Sequence, residues 1–172
     1  MLSADQIIEL LNLQPLPVEG GYFRQSYRAA EAVSASALPG RYRRDKSLCT
    51  AIYYVLTAEP DSFSALHRLP TDEIYHFYLG DPVEMLLLYP DGGSTIVRLG
   101  PDLGAGQRVQ FVVPGEVWQG ARLVSAGSFA LMGTTMAPGY DGDDYLAGEA
   151  LELIERYPER AQLIRSLTRR IG

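Results

Sequence analysis

Along most of this chain apolar residues gather in short runs of strand length, separated by polar turn residues. Such runs cover residues 22–28, 50–56, 74–79, 83–89, 95–99, 108–113 and 129–136, and most are rich in β-branched or aromatic side chains. Turn residues punctuate them: Gly80-Asp81-Pro82, Asp91-Gly92-Gly93, Pro114-Gly115 and Ala126-Gly127. Asp91-Gly92 between two apolar runs is the strongest hairpin signal, because both residues tolerate the positive φ of a tight turn. A series of short strands with no helical stretch between them predicts an all-β sandwich or barrel.

The pattern changes to helical spacing at both ends. Ser3 and Gln6 have capping-box spacing ahead of Ile7, Ile8, Leu10 and Leu11, which predicts a short helix over 3–13 ended by Pro15 and Pro17. Near the other end Asp144 is placed to cap a helix over 145–157 with Leu151 and Ile154 facing the core. Pro158 then starts a last segment carrying Leu163, Ile164 and Leu167. Residues 29–47 fit neither period. They read as a flexible surface loop, first small residues and then the basic cluster Arg41, Arg43, Arg44 and Lys46. That cluster is either a solvated face or a phosphate-binding one.

A chain of 172 residues is expected to form one domain, with the barrel over about 20–138 and a C-terminal helical segment over about 144–170. Hydrophobic residues at 47% and charged residues at 21% exclude intrinsic disorder. Fifteen Lys and Arg against 21 Asp and Glu leave a net charge of −6, which argues against nucleic acid or an anionic membrane as partner. Cys49 is the one cysteine, so no internal disulfide forms, and it reads as buried and inert. No apolar run is long enough for a membrane span and the N-terminus has no basic leader, so a cytoplasmic protein is expected.

Both histidines, His67 and His76, fall in one segment. His67, Glu73 and Gly80 stand at the spacing of the first motif of the cupin superfamily, with Leu69 where the motif has its second His. Pro114-Gly115-Glu116-Val117-Trp118-Gln119 resembles the second motif, with Glu116 in place of its Gly and Gln119 in place of its His. Glu19-Gly20-Gly21-Tyr22-Phe23-Arg24, Thr50-Ala51-Ile52-Tyr53-Tyr54 and Ala137-Pro138-Gly139-Tyr140 add likeness to a branch of small single-domain cupins classed as a domain of unknown function. The resemblance spans roughly residues 3–160. It implies a jelly-roll β-barrel with a short N-terminal helix and one or two C-terminal helices. It also implies a homodimer, and it leaves the reaction open.

Strand parity orders the side chains. With Glu73 inward, Tyr75, Phe77 and Leu79 share its face, while Ile74, His76 and Tyr78 point out toward solvent or a dimer interface, unless a bulge intervenes. Trp118 faces away from Gln119 for the same reason. His67 and Glu73 are therefore the expected acid–base pair, with Arg24, Tyr54, Tyr75 and Gln119 orienting a small polar metabolite. Tyr22 and Tyr53 are further aromatic candidates. This reading is an isomerase or epimerase. The alternatives are a metal-dependent oxygenase or decarboxylase holding Fe, Mn or Zn on His67, Glu73 and Gln119, and a binding module without catalysis. Two of the usual four ligands are absent, and a neutral amide is a poor donor to a divalent cation.

Overall fold

A computed structural model describes residues 2–124 and 127–169. The chain opens with α1 (Ala4–Leu10) and β1 (Gln14–Pro15). Strands β2 (Tyr22–Arg28), β3 (Ala32–Val33), β4 (Lys46–Ser47), β5 (Thr50–Thr57), β6 (Ser64–Arg68) and β7 (Glu73–Gly80) follow. Next come β8 (Val83–Leu88), β9 (Ser94–Leu99), β10 (Gln110–Val113), β11 (Trp118–Leu123) and β12 (Phe129–Met136). The chain ends on β13 (Leu146–Ala147), α2 (Ala150–Arg156) and α3 (Ala161–Ser166).

Two antiparallel sheets carry the fold. One has the order β1-β2-β5-β12-β7-β10, the other β13-β6-β11-β8-β9. Their facing sides meet in one core of Tyr54, Leu56, Phe77, Met85, Leu87, Leu99 and Met132, all buried. The hairpin at Asp91-Gly92 joins β8 to β9 in register from Val83↔Leu99 to Leu88↔Ser94. Strand β8 is buried on both sides: Val83, Met85 and Leu87 face the core, and Leu86 and Leu88 face the C-terminal helices. Those helices cover the second sheet with Leu153, Tyr157, Ile164 and Leu167. On the first sheet, Ile7 of α1 packs with Leu13, Val55 and Phe129.

Several elements differ from the sequence expectation. Strands β6 and β11 were not among the predicted runs: SALHR and WQGARL lack clean alternation because one face lies on the lumen and the other under the helices. The box of Ser3 and Gln6 forms, but α1 ends before the prolines, where Asn12 takes a left-handed φ of 51°. Leu10 is exposed and Leu13 takes its place in the core. The C-terminal helix starts at Ala150, with Glu149 rather than Asp144 at its N-cap, because 146–147 pair with β6 first. Leu151 is exposed and Leu153 is the buried residue of that turn. Residues 29–47 hold a small ribbon, β3 on β4, tied down by Lys46, which is buried with Asp144 at 2.5 Å. The Ala126-Gly127 turn lies partly outside the described residues, as does the last residue of the 144–170 segment. Among the described residues no helix is long and apolar enough to cross a membrane.

Candidate functional site

Three strands bring the polar residues together. His67 on β6 stands directly opposite Gln119 on β11 and Ala147 on β13. Glu73 opens β7 on the other sheet, between Val113 and Met136. The Gln119 side-chain amide donates to Glu73 Oε2 at 2.8 Å, so this bond crosses the lumen from sheet to sheet. All three side chains are buried.

A cavity of about 120 Å³ lies beside them, lined by His67, Glu73, Tyr54, Tyr75, Glu19 and Thr134 among others. Tyr75 thus faces inward as the parity argument required, and Tyr54, which parity did not place, lines the same cavity. Tyr54 donates its hydroxyl to the Gly20 carbonyl at 2.9 Å. Burial pushes both phenols well above their ordinary range, so they act as neutral O–H groups.

Burial likewise raises the Glu73 carboxyl above its ordinary value of 4.5, with His67 opposing the shift and Glu19 adding to it. The His67 ring is oriented on one edge by the Ala65 carbonyl, 2.8 Å from Nδ1. A carbonyl only accepts, so Nδ1 carries a proton and Nε2 is the basic nitrogen of the neutral ring. Tyr145 stacks on the ring at 5.0 Å between centroids.

Glu19 was not among the predicted site residues. Its carboxylate accepts from the Ser64 hydroxyl at 2.9 Å, and its carbonyl from the Ala65 amide at 2.8 Å, which pins the turn before β2 against β6. The only sequence signal was a carboxylate directly before the glycine pair Gly20-Gly21. Tyr140 and Tyr145 were also missed. Burial raises the Tyr140 phenol to about 12.

Arg24 goes the other way from the expectation. It pairs across with Tyr53 and lies over that ring at 5.5 Å, on the outer face of the sheet, while Phe23 and Gln25 face the lumen. Tyr22 and Tyr53 share that outer side, packed near α1. His76 is outward as parity required, within 3.2 Å of both Thr135 and Gln110 side chains. Leu79 does not follow Phe77 inward: a register shift between Leu131 and Met132 places Tyr78 in a bulge, and Leu79 emerges exposed.

The residues do not fit a metal centre. Among the described residues no three His, Cys, Asp or Glu side chains converge on one point. Gln119 turns its N–H₂ toward Glu73 rather than an oxygen toward His67, and Leu69 contributes hydrocarbon to the lining. Two other motif positions have a backbone explanation. Gly80 has φ 103°, and a Cβ there would collide with the Phe129 carbonyl. Glu116 holds a φ of 67°, a conformation that favours glycine, and its amide donates to the Leu69 carbonyl at 2.8 Å.

Comparisons with known proteins agree with this architecture. The family described as Cupin superfamily (DUF985) matches residues 5–147. The uncharacterized protein YML079W of Saccharomyces cerevisiae is 31% identical over 143 residues, 76% of this chain and 69% of that protein. The crystal structure of protein SO0799 from Shewanella oneidensis superposes with a TM-score of 0.84 at 33% identity, covering 98% of this chain and 99% of the other. A hypothetical protein from Leishmania major gives 0.86 at 27% identity, over 97% and 99% of the two chains.

Proposed function

The chain belongs to the DUF985 family of the cupin superfamily, and from that premise we propose that its barrel binds a small, uncharged polar metabolite and transfers protons on it. One observation carries the reading. His67 and Glu73 approach a shared cavity from opposite sheets, and no Lys or Arg among the described residues lines that cavity.

The charge of the lining selects the ligand. Glu19 is a carboxylate and Glu73 turns into one on giving up its proton, so the lining disfavours a carboxylate or phosphate substrate at close range. An oxalate-like dianion is thus a poor fit. Hydroxyl and carbonyl groups match the phenols, the carboxylates and the Thr134 hydroxyl. A volume of about 120 Å³ is below the ~300–1,000 Å³ of drug-sized sites, so the ligand is a molecule of few carbons or one part of a larger one.

The chemistry follows from protonation states. His67 Nε2 takes a proton from a carbon beside a carbonyl. Glu73, held toward its protonated form by burial, gives a proton to the carbonyl oxygen, which leaves an enediol. His67 then returns its proton to the former carbonyl carbon while Glu73 takes one from the hydroxyl on the neighbouring carbon, and this completes an isomerisation. Tyr54 and Tyr75 orient the oxygen atoms, and Gln119 holds Glu73 in place.

The test is binding and exchange in D₂O with a panel of short hydroxy-aldehydes, hydroxy-ketones and polyols. The expected result is saturable binding with deuterium washed into carbon, and His67→Ala that keeps binding and loses the wash-in. Saturable binding with no wash-in for any bound compound defeats the catalytic part and leaves a binding module. Binding confined to anions defeats the ligand class.

A further inference from the structure

A second cavity, of about 460 Å³, lies beside the end of β6, against residues 41–46. Arg41, Arg43, Arg44, Lys46 and Arg68 line it, a third of the chain's 15 Lys and Arg. This concentration occurs in a molecule of net charge −6.

Three carboxylates also line the groove, and each is committed to one cation. Asp143 pairs with Arg44 at 2.7 Å, Asp144 with Lys46 at 2.5 Å and Glu116 with Arg68 at 3.5 Å. Arg41 and Arg43 have no carboxylate partner among the described residues. Arg41 is nonetheless held in place. Its Nε donates to the Pro70 carbonyl at 2.9 Å and its guanidinium lies 4.8 Å from the centre of the Tyr42 ring. Tyr42 is itself buried, and its hydroxyl accepts from Thr71 at 2.9 Å. Arg68 is braced in the same way over Trp118, at 5.1 Å. Guanidinium groups fixed by stacking lose little freedom on meeting an anion.

We propose that this groove binds a phosphorylated small metabolite. The phosphoryl group sits on Arg41 and Arg43, and the organic part lies against Leu69, Pro70 and Leu146. The volume is in the range of small-molecule sites, and planar guanidinium forks match phosphate oxygens in pairs. The groove and the barrel cavity have one lining residue in common, Leu69, so the two sites stand or fall separately.

Calorimetry at low ionic strength, with inorganic phosphate, ribose 5-phosphate and free ribose as probes, tests the assignment. Both phosphates bind saturably and ribose does not. Arg41→Ala with Arg43→Ala weakens phosphate binding by about tenfold or more, as expected for lost charge-assisted bonds. Asp143→Asn, which releases Arg44, tightens it, and His67→Ala leaves it unchanged. The three substituted groove positions, Arg41, Arg43 and Asp143, are exposed, so these variants keep the fold. Absence of saturable heat from both phosphates, or binding that survives loss of both arginines, overturns the proposal.

Discussion

The two ends of the barrel are built from the same strands and behave as different materials. On β7 the lumen face runs Glu73, Tyr75, Phe77; on β12, read in the opposite direction, it runs Met136, Thr134, Met132 and Ala130. On β11, Gln119 is followed inward by Ala121. One end is therefore packed hydrocarbon, with Leu56, Val83, Met85 and Leu99 at zero exposure. The other end buries His67, Glu73 and Gln119 around a cavity. Hydrocarbon burial stabilises the barrel at about 25 cal/mol per Å². A buried carboxyl destabilises it unless it stays protonated or hydrogen-bonded. The apolar end holds the fold, and that stability is what allows the polar end to remain under-satisfied: the buried Oε1 of Gln119 has no hydrogen-bond partner among the described residues.

Breaking the apolar end has the largest effect. Leu99→Ala, whose strand partner Val83 lies at the far end of β8 from Gln119, is expected to lose roughly 2–5 kcal/mol, read as a lower midpoint in urea, while ligand affinity at the lumen changes little. Gln119→Leu breaks the polar end instead. It removes the donor to Glu73 and leaves a buried acceptor unpaired, a loss of about 1–3 kcal/mol at neutral pH. Acidification should recover most of that loss, because a protonated Glu73 no longer needs the bond.

Glu73→Gln sharpens the contrast through pH. The folded-state pKa of Glu73 is raised, so the folded form binds more protons than the unfolded form above pH 4.5. The wild type therefore loses stability as pH rises through this window, and the loss levels off above the folded pKa. The Gln variant lacks that fall, so denaturation curves of the two proteins should diverge from pH 4.5 upward with the variant the more stable. The opposite divergence would mean that Glu73 is stabilised as a carboxylate. The smallest effect is expected outside the barrel. Ser3→Ala removes the α1 cap at about 1 kcal/mol and should leave both ends of the lumen unchanged.

Much of this molecule is legible in its sequence because its period is local. Strands β2 and β12 match the predicted boundaries, the Asp91-Gly92 hairpin forms, and parity places Tyr75 inward and His76 outward. These features depend on alternation and turn chemistry, which act over a few residues. The spacing of His67, Glu73 and Gly80 is local too, and Gly80 has the positive φ that only glycine meets without strain.

Other features were settled only when distant segments met. Strands β6 and β11 are largely buried on both faces, so no alternation marks them, and they carry His67 and Gln119. A bulge at Tyr78 turns Leu79 outward, since one extra residue reverses all later parity. Arg24 lies one position from lumen-facing Phe23 and Gln25, and pairing with β5 sends it to the outside. Glu19 enters the site from a turn that a carbonyl bond holds against β6. A pattern along the chain determines which residues share a face of a strand; which face meets the lumen, and what meets it there from another sheet, is decided by long-range pairing, because only closure of the barrel brings those faces together.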